Sequence, residues 1–194
     1  MSFIPKILAF AGSTRTGSFN KNLVRVAAEG ARIEGAAVMI LDLRDLPLPL
    51  FDEDLETKEG LPANAIKLKD LLKAHHGLLI SSPEYNSSVT GVLKNAIDWA
   101  SRPSKGEEPL AAYANKVAGL MSASPGALGG LRGLVHLRAI LGNIRVLVIP
   151  EQVAVSSAHQ AFDANGSLKD AKQHASVEKL GARVAQVAAK LNAP

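Results

Sequence analysis

The sequence predicts an α/β fold in which one parallel sheet of five strands is covered by helices on both faces. Apolar segments of strand length recur five times, and stretches with helical periodicity separate them. Each apolar segment is hydrophobic nearly throughout, without the alternation of a half-exposed strand, which is typical of strands buried on both faces. The predicted strands cover residues 6–11, 37–41, 77–80, 117–121 and 145–149, the last being stopped by Pro150.

Five predicted helices alternate with these strands. They cover residues 18–34, 63–75, 89–100 and 128–141, and a last helix carries an apolar stripe from Val177 to Leu191. This alternation favours the strand order 2-1-3-4-5, the flavodoxin-like arrangement. Because the chain has no internal repeat and no change in composition along its length, we expect a single domain over residues 1–194.

The composition excludes several classes of function. The chain of 194 residues has no cysteine, which rules out disulfides, thiolate catalysis and cysteine-ligated metal or iron–sulfur sites. No signal peptide is apparent and no run approaches the ~18 apolar residues of a membrane span, so we expect a soluble cytoplasmic protein. The net charge of +4 comes from scattered residues and aromatics are only 4%, which disfavours a nucleic-acid partner.

Two unusual loops follow the first and third predicted strands. The first loop (residues 12–20) and the second loop (residues 82–88) are rich in small polar and turn-forming residues. In the order 2-1-3-4-5 both lie beside the crevice at the switch point, where open α/β sheets bind their ligands. Either loop alone is compatible with an ordinary strand–loop–helix connection, but their coincidence predicts a ligand site.

The first loop has the chemistry of a phosphate site. It offers several hydroxyls and the guanidinium of Arg15, and it leads into a helix N-terminus, whose free N–H groups attract anions. The alternative is that Ser18 simply caps the helix. The loop has neither the Gly-x-Gly-x-x-Gly dinucleotide pattern nor a Walker sequence, so we expect a mononucleotide-like phosphate held largely by side chains.

The second loop is suited to the other end of such a ligand. Tyr85 offers a ring face, Asn86 an amide, and the backbone N–H groups of residues 84–86 can bond a flat heterocycle. A third loop (residues 122–130), after the fourth strand, can close the far side of the ring, since its glycines permit close approach of the backbone. The alternatives are a core position for Tyr85 and a plain turn at Pro125.

The two loops together resemble the signatures of the NAD(P)H-dependent FMN reductase family. Gly-Ser-Thr-Arg-Thr-Gly-Ser-Phe-Asn (12–20) is similar to its Gly-Ser-x-Arg-x-x-Ser-x-Asn phosphate loop. Pro-Glu-Tyr-Asn (83–86), continued by Gly-Val-Leu-Lys-Asn-Ala-Ile-Asp-Trp (91–99), is similar to its second signature. The resemblance implies that FMN is bound by Ser13, Arg15, Ser18, Phe19 and Asn20 around the phosphate, by Pro83, Glu84, Tyr85 and Asn86 around the isoalloxazine, and by Ser122 and Ser124 nearby.

The resemblance also implies the reaction. FMN would pass a hydride from NAD(P)H, the co-substrate, to an acceptor such as a quinone, a flavin, an azo compound or chromate. No protein acid or base is required, so we assign no catalytic residue. We interpret the five histidines as structural or surface residues, and the acidic residues 52–54 as a solvated loop rather than a metal site. Two alternatives are a flavodoxin-like electron carrier without its own hydride substrate, which the basic pI of about 9.4 disfavours, and a flavin-binding regulatory protein.

The helix over residues 128–141 has leucines and valines on more than one face. A helix that is apolar all round needs a second burial partner, which predicts a homodimer, and the resemblance extends this to a dimer of dimers, a homotetramer. The alternative is burial within one subunit. The long connection over residues 42–62 is a candidate wall of the acceptor pocket, and the choice between NADPH and NADH stays open.

Overall fold

The computed structural model describes residues 3–193 and confirms the predicted sheet. Five parallel strands are ordered β2-β1-β3-β4-β5. The strands are β1 (Lys6–Ala11), β2 (Ala37–Leu41), β3 (Gly77–Ser81), β4 (Val117–Ala123) and β5 (Leu147–Val155). The helices are α1 (Phe19–Ile33), α2 (Glu53–Glu59), α3 (Ala63–Lys73), α4 (Gly91–Ser101), α5 (Leu131–Asn143), α6 (Ala158–Ala161) and α7 (Ala171–Asn192).

The sheet separates two apolar layers. On one face, α1 and α7 pack over the strands; on the other, α3, α4 and α5 do so. The three central strands, β1, β3 and β4, are buried along almost their whole length, as their apolar sequences predict. This packing brings the carboxyl ends of the central strands to one edge of the molecule and places the loops that follow them side by side. Among residues 3–193, no helix is both long and apolar enough to cross a bilayer.

The fifth strand does not end at Ile149 as predicted but continues through Pro150 to Val155. It tolerates the proline because β5 is an edge strand, and because its register with β4 shifts there: Ala118 pairs with Val148, whereas Leu120 pairs with Gln152. Arg138 of α5 fills the irregularity, donating to the carbonyl of Ile149 at 2.8 Å and to the side-chain oxygen of Gln152 at 3.1 Å. The longer strand extends the sheet on the side of the third loop.

The connection over residues 42–62 is also more regular than predicted. It contains a 3-10 turn (Leu43–Asp45), and the acidic group belongs to α2, where Asp52 accepts the capping hydrogen bond from Asp54 N–H at 2.8 Å. Its central part lies against α4. Asn95 accepts from Phe51 N–H at 2.8 Å, and the buried Trp99 donates to the carbonyl of Pro49 at 2.8 Å.

Candidate functional site

The crevice lies where β1, β3 and β4 end. Backbone hydrogen bonds of 2.9 Å join Gly12 N–H to Ser81 O and Ser82 N–H to Met121 O, so the three loops begin from adjoining points. A cavity of about 370 Å³ lies between them. Its lining comes from all three loops: Ser13, Arg15, Ser18, Phe19, Asn20, Pro83, Glu84, Tyr85, Ala123, Ser124 and Pro125. The structure thus gathers nine of the eleven site residues predicted from sequence in one cavity, and leaves Asn86 and Ser122 outside its lining.

Ser18 stands at the N-cap of α1 but does not act as a cap. Its side chain makes no capping hydrogen bond, although the residue is buried and lines the cavity. Among residues 3–193 no acceptor takes the N–H groups of Phe19 and Asn20 in the first turn of α1. A hydroxyl and two helix N-terminal amides are therefore available to an anion, which is what a phosphate site requires.

Arg15 supplies positive charge at the same place. Its guanidinium lies over the ring of Phe19, 5.4 Å from the centroid. The Phe19 ring in turn is stacked on Phe162, with centroids 5.9 Å apart and planes within 7°. The stack holds an otherwise exposed cation next to the helix N-terminus, since cation–π attraction favours this position of the guanidinium.

Asn20 lines the cavity, but most of its hydrogen-bonding groups are already paired within the protein. It is buried, donates to the carbonyl of Ala123 at 2.8 Å, and accepts from Ser81 Oγ at 2.8 Å and from Ala123 N–H at 3.0 Å. An asparagine side chain has two donors and one acceptor oxygen, so only one N–H remains free. Asn20 therefore ties α1 to the ends of β3 and β4 and forms the floor of the cavity.

The structure adds Arg44, which the sequence reasoning missed. It follows β2, and its guanidinium donates to the carbonyl of Thr14 at 2.8 Å and to Thr16 Oγ1 at 2.7 Å. The first loop is thus braced from outside the cavity. The predicted strand order could have indicated this contact, because β2 pairs with β1 and the residues after the two strands must lie side by side.

Asp42 anchors the same brace. Burial acts to raise the pKa of Asp42, but hydrogen bonds from Lys21 and from Arg44 N–H outweigh it and hold that pKa below its usual range. The carboxylate is therefore charged at neutral pH and fixes the start of the 3-10 turn that carries Arg44.

The second loop turns sharply after Tyr85. Tyr85 and Ser88 exchange two backbone hydrogen bonds of 3.0 Å, and Asn86 and Ser87 both have positive φ, 50° and 66°. This is the pattern of a type I′ turn, here made without glycine. We call residues 85–88 the Tyr85 turn. Tyr85 is 59% exposed, so the core alternative for this residue is wrong, and its ring is free to meet a ligand.

Glu84 lines the cavity, but its carboxylate is bonded to α5. One oxygen accepts from Arg132 Nε at 2.8 Å, and the other accepts from Gly133 N–H at 3.2 Å. Burial acts to raise the pKa of Glu84, but the bonds from Arg132 and Gly133 outweigh it and hold the pKa below its usual value. The negative charge is thus neutralised within the protein and does not repel an anionic ligand.

The third loop divides its two serines. Ser124 lines the cavity, and its Oγ accepts from Gly126 N–H at 3.2 Å. Ser122 is fully buried, and its Oγ has no hydrogen-bond partner among the described residues. It lies against Gly130, where a Cβ would be 1.9 Å from Ser122 Oγ and where φ is +91°, so only glycine fits.

The residues of the cavity fit a phosphorylated flat heterocycle. The first loop supplies hydroxyls, free amides and a guanidinium at one end, and the second loop presents an exposed aromatic ring at the other. Among residues 3–193 no group of three histidine or carboxylate side chains is arranged to hold a metal ion. The arrangement is suited to binding and orienting a cofactor, with no acid–base pair in the lining.

Known proteins share this chain's sequence and fold. The sequence model of the NADPH-dependent FMN reductase family matches residues 5–160. An NAD(P)H-dependent FMN reductase from Pseudomonas aeruginosa is 40% identical over 169 residues, which cover 86% of each chain. A probable NADPH:quinone oxidoreductase from Oryza sativa is 36% identical, over 85% of this chain and 79% of its own.

A solved structure extends the likeness to three dimensions. The flavoenzyme NAD(P)H:(acceptor) oxidoreductase from Paracoccus denitrificans superposes with a TM-score of 0.80. It is 27% identical in sequence, and the match covers 96% of this chain and 98% of that one. Sequence and fold therefore point to the same group of proteins over nearly the whole chain.

Proposed function

The chain belongs to the NADPH-dependent FMN reductase family and is an FMN-dependent NAD(P)H oxidoreductase, and on that premise we propose that FMN binds in the cavity between the three loops. The observation that carries the proposal is the uncapped N-terminus of α1 beside Arg15, within one cavity that also contains the exposed Tyr85. Loops at the carboxyl ends of β1 and β3 meet at the switch point of the sheet, the usual ligand crevice of such folds.

The first loop holds the phosphate in this proposal. Ser13, Ser18 and the first amides of α1 donate hydrogen bonds, and Arg15 adds a charge-assisted one. Asn20 has only one N–H left for the ligand, so its main contribution is to keep α1 attached to the ends of the strands. Phe19 keeps the Arg15 guanidinium in position by stacking.

The second and third loops hold the ring. The Tyr85 ring and the backbone N–H groups of Glu84 and Asn86 meet the isoalloxazine, with Pro83 at its border and Ser124 across the cavity, while the Tyr85 N–H stays bonded to Ser88. Bound FMN supplies transfer of a hydride from NAD(P)H to an acceptor. The chain's part is to orient the ring, and amide donors at the ring edge favour the negative charge that reduction brings.

The acceptor class that we propose is the quinones. The support is the similarity to the rice protein, a probable NADPH:quinone oxidoreductase, and the 59% exposure of Tyr85, which leaves one side of its ring open to solvent. Flavins, azo compounds and chromate remain alternatives. We further propose that residues 1–194 form one domain, since both apolar layers share the same sheet, and that the protein is cytoplasmic.

We also propose that a second copy of the chain covers part of α5. Leu128, Leu131 and Val135 lie in or just before this helix and are 52%, 40% and 59% exposed, so its apolar residues are not all buried within one subunit. Burial of these side chains favours a homodimer, or a dimer of dimers. Light scattering at micromolar concentration that gives a monomeric mass would contradict this.

The test of the function is spectroscopic. The purified protein is mixed with FMN, desalted, and treated with NADPH under anaerobic conditions. We expect retained flavin absorption that bleaches without any partner reductase, followed by recovery on addition of a benzoquinone. Retained flavin that NADPH cannot bleach would instead indicate the electron-carrier alternative, and loss of the flavin on desalting would remove the proposed site.

A further inference from the structure

Helix α5 holds both ends of the Tyr85 turn. On the N-terminal side, the carboxylate of Glu84 is bonded to Arg132 Nε and to Gly133 N–H. On the C-terminal side, the hydroxyl of Ser88 is 2.9 Å from Nδ1 of His136, one helical turn further along. One helix face therefore fixes the residues that flank the turn at both ends.

The contact is close as well as hydrogen-bonded. A Cβ on Gly133 would lie 3.1 Å from the carbonyl oxygen of Ser88 and 3.4 Å from Cβ of Glu84, so the backbone of α5 lies directly against the turn. Asn86 and Ser87 both occupy the left-handed region, which asparagine adopts more readily than most residues but which is unfavourable for serine and needs support from its surroundings. The contacts with α5 stabilise this backbone conformation.

We propose that Arg132 is a positioning residue of the flavin site, which holds Glu84 and thereby fixes the Tyr85 ring and the amides of Glu84 and Asn86 against the isoalloxazine. The proposal rests on the binding of FMN in this cavity. Arg132 does not line the cavity, and it lies outside both signature stretches. Its Nε and one terminal nitrogen both reach the same oxygen of Glu84, which leaves the other oxygen for Gly133 N–H.

The position of Arg132 makes the idea testable without unfolding the protein. Its side chain is 58% exposed, whereas the apolar residues that anchor α5, Leu134, Leu137 and Leu141, are fully buried. Replacement of Arg132 therefore leaves the packing of the helix within one subunit in place and removes the partner of Glu84, and light scattering of each variant checks that its oligomeric state is unchanged. Arg138 offers a matched control, because it lies on the same helix but is bonded to β5.

The experiment compares Arg132→Gln, Arg132→Lys and Arg138→Gln with the natural protein. In flavin-free protein, hydrogen–deuterium exchange of peptides covering residues 84–88 should be faster in Arg132→Gln and unchanged in Arg138→Gln. For FMN, we expect Arg132→Gln to raise Kd about tenfold, the loss of one hydrogen bond to a charged group, and to shift the flavin midpoint potential. The Kd of riboflavin should rise by the same factor, because the substitution acts at the ring and not at the phosphate. Arg132→Lys should recover part of each effect.

Two results would overturn the proposal. One is that Arg132→Gln has the same hydrogen–deuterium exchange over residues 84–88 and the same FMN affinity as the natural protein. The other is that Arg138→Gln has the same effect, since this would mean a general weakening of α5. If the natural protein binds no FMN at all, the proposed function fails, while exchange at residues 84–88 in the flavin-free variants still decides whether Arg132 fixes the turn.

Discussion

The first and second loops use their polar side chains differently. In the first loop, the hydroxyl of Ser18 makes no capping bond and the guanidinium of Arg15 is held beside the cavity. In the second loop, the side chains of Glu84 and Ser88 are bonded to α5. The first loop offers side chains to a ligand and is braced from outside by Arg44. The second loop uses its side chains for its own support and offers backbone and one ring. If FMN binds as proposed, these two polar loops hold opposite ends of the ligand by different means.

The largest effect that we expect is at Arg15. Arg15→Gln removes a charge-assisted bond to the phosphate, so FMN affinity should fall roughly 10- to 100-fold. Riboflavin, which has no phosphate, should bind as before. Titration of flavin fluorescence measures both, and an equal loss for the two ligands would mean that the first loop does not hold the phosphate.

Glu107 provides a contrast with Glu84, because it is a half-buried carboxylate that does not line the cavity. Hydrogen bonds from Lys69, Lys73 and Ser104 N–H lower its pKa to about 2. A carboxylate whose pKa is lowered on folding contributes stability above its ordinary pKa of 4.5, and that stability is lost as pH falls towards 2. Glu107→Gln should reduce the free energy of unfolding at pH 7 by about 2 kcal/mol and flatten its acid dependence, with FMN affinity unchanged.

Chemical denaturation of the Glu107 variant between pH 3 and pH 7 measures this effect. A variant that keeps the acid dependence of the natural protein would show that Lys69 and Lys73 do not stabilise the folded state through Glu107. Loss of FMN affinity in the same variant would contradict our expectation that Glu107 stabilises the fold without contributing to the cofactor site.

The brace by Arg44 should have a smaller effect. Arg44→Met removes the bonds to Thr14 and Thr16 but keeps a long side chain, so FMN affinity should fall about fivefold, near 1 kcal/mol. Isothermal titration with FMN measures it. If the role of Arg44 is confined to the phosphate end, the same variant should bind riboflavin with unchanged affinity. A lower affinity for riboflavin alone would contradict this role.

The smallest effect is expected at Ser122. Its hydroxyl is buried and has no hydrogen-bond partner within residues 3–193, so Ser122→Ala should stabilise the protein by up to about 1 kcal/mol and leave FMN affinity unchanged. Ser124→Ala, in the cavity lining, is the matched comparison and should weaken binding slightly. Thermal unfolding and FMN titration of the pair check this, and weaker binding in Ser122→Ala would return that serine to the site.

The apolar strands and their order were predictable from sequence, because runs such as residues 6–11 and 77–80 have few alternatives to burial in a parallel sheet. The ends of the helices and strands were not predictable. Pro150 indicates that the fifth strand ends there, yet the edge position of β5 and a register shift accommodate the proline. The acidic residues 52–54 indicate a loop, yet a capping carboxylate starts α2 there.

Within the candidate site, local sequence predicted which loops converge but not how each side chain is used. Ser122 and Ser124 have the same chemistry, but Ser122 is a fully buried residue of β4, whereas Ser124 follows the end of the strand and lines the cavity. The partners of Asn20 and Glu84 are distant in sequence, so no local pattern could reveal that their polar groups are already bonded. The assignment of the ligand-binding residues stays a prediction.

Trp99 gives the protein a built-in optical reporter. It is the one tryptophan of the chain, it is fully buried, and it lies edge-on to Phe51 with ring centroids 5.0 Å apart, while its indole N–H is bonded to Pro49. Its emission therefore follows how closely the 42–62 connection lies on α4. Since a bound flavin absorbs at the wavelengths where tryptophan emits, quenching of this one signal would report occupancy of the crevice, and its red shift would report release of the connection.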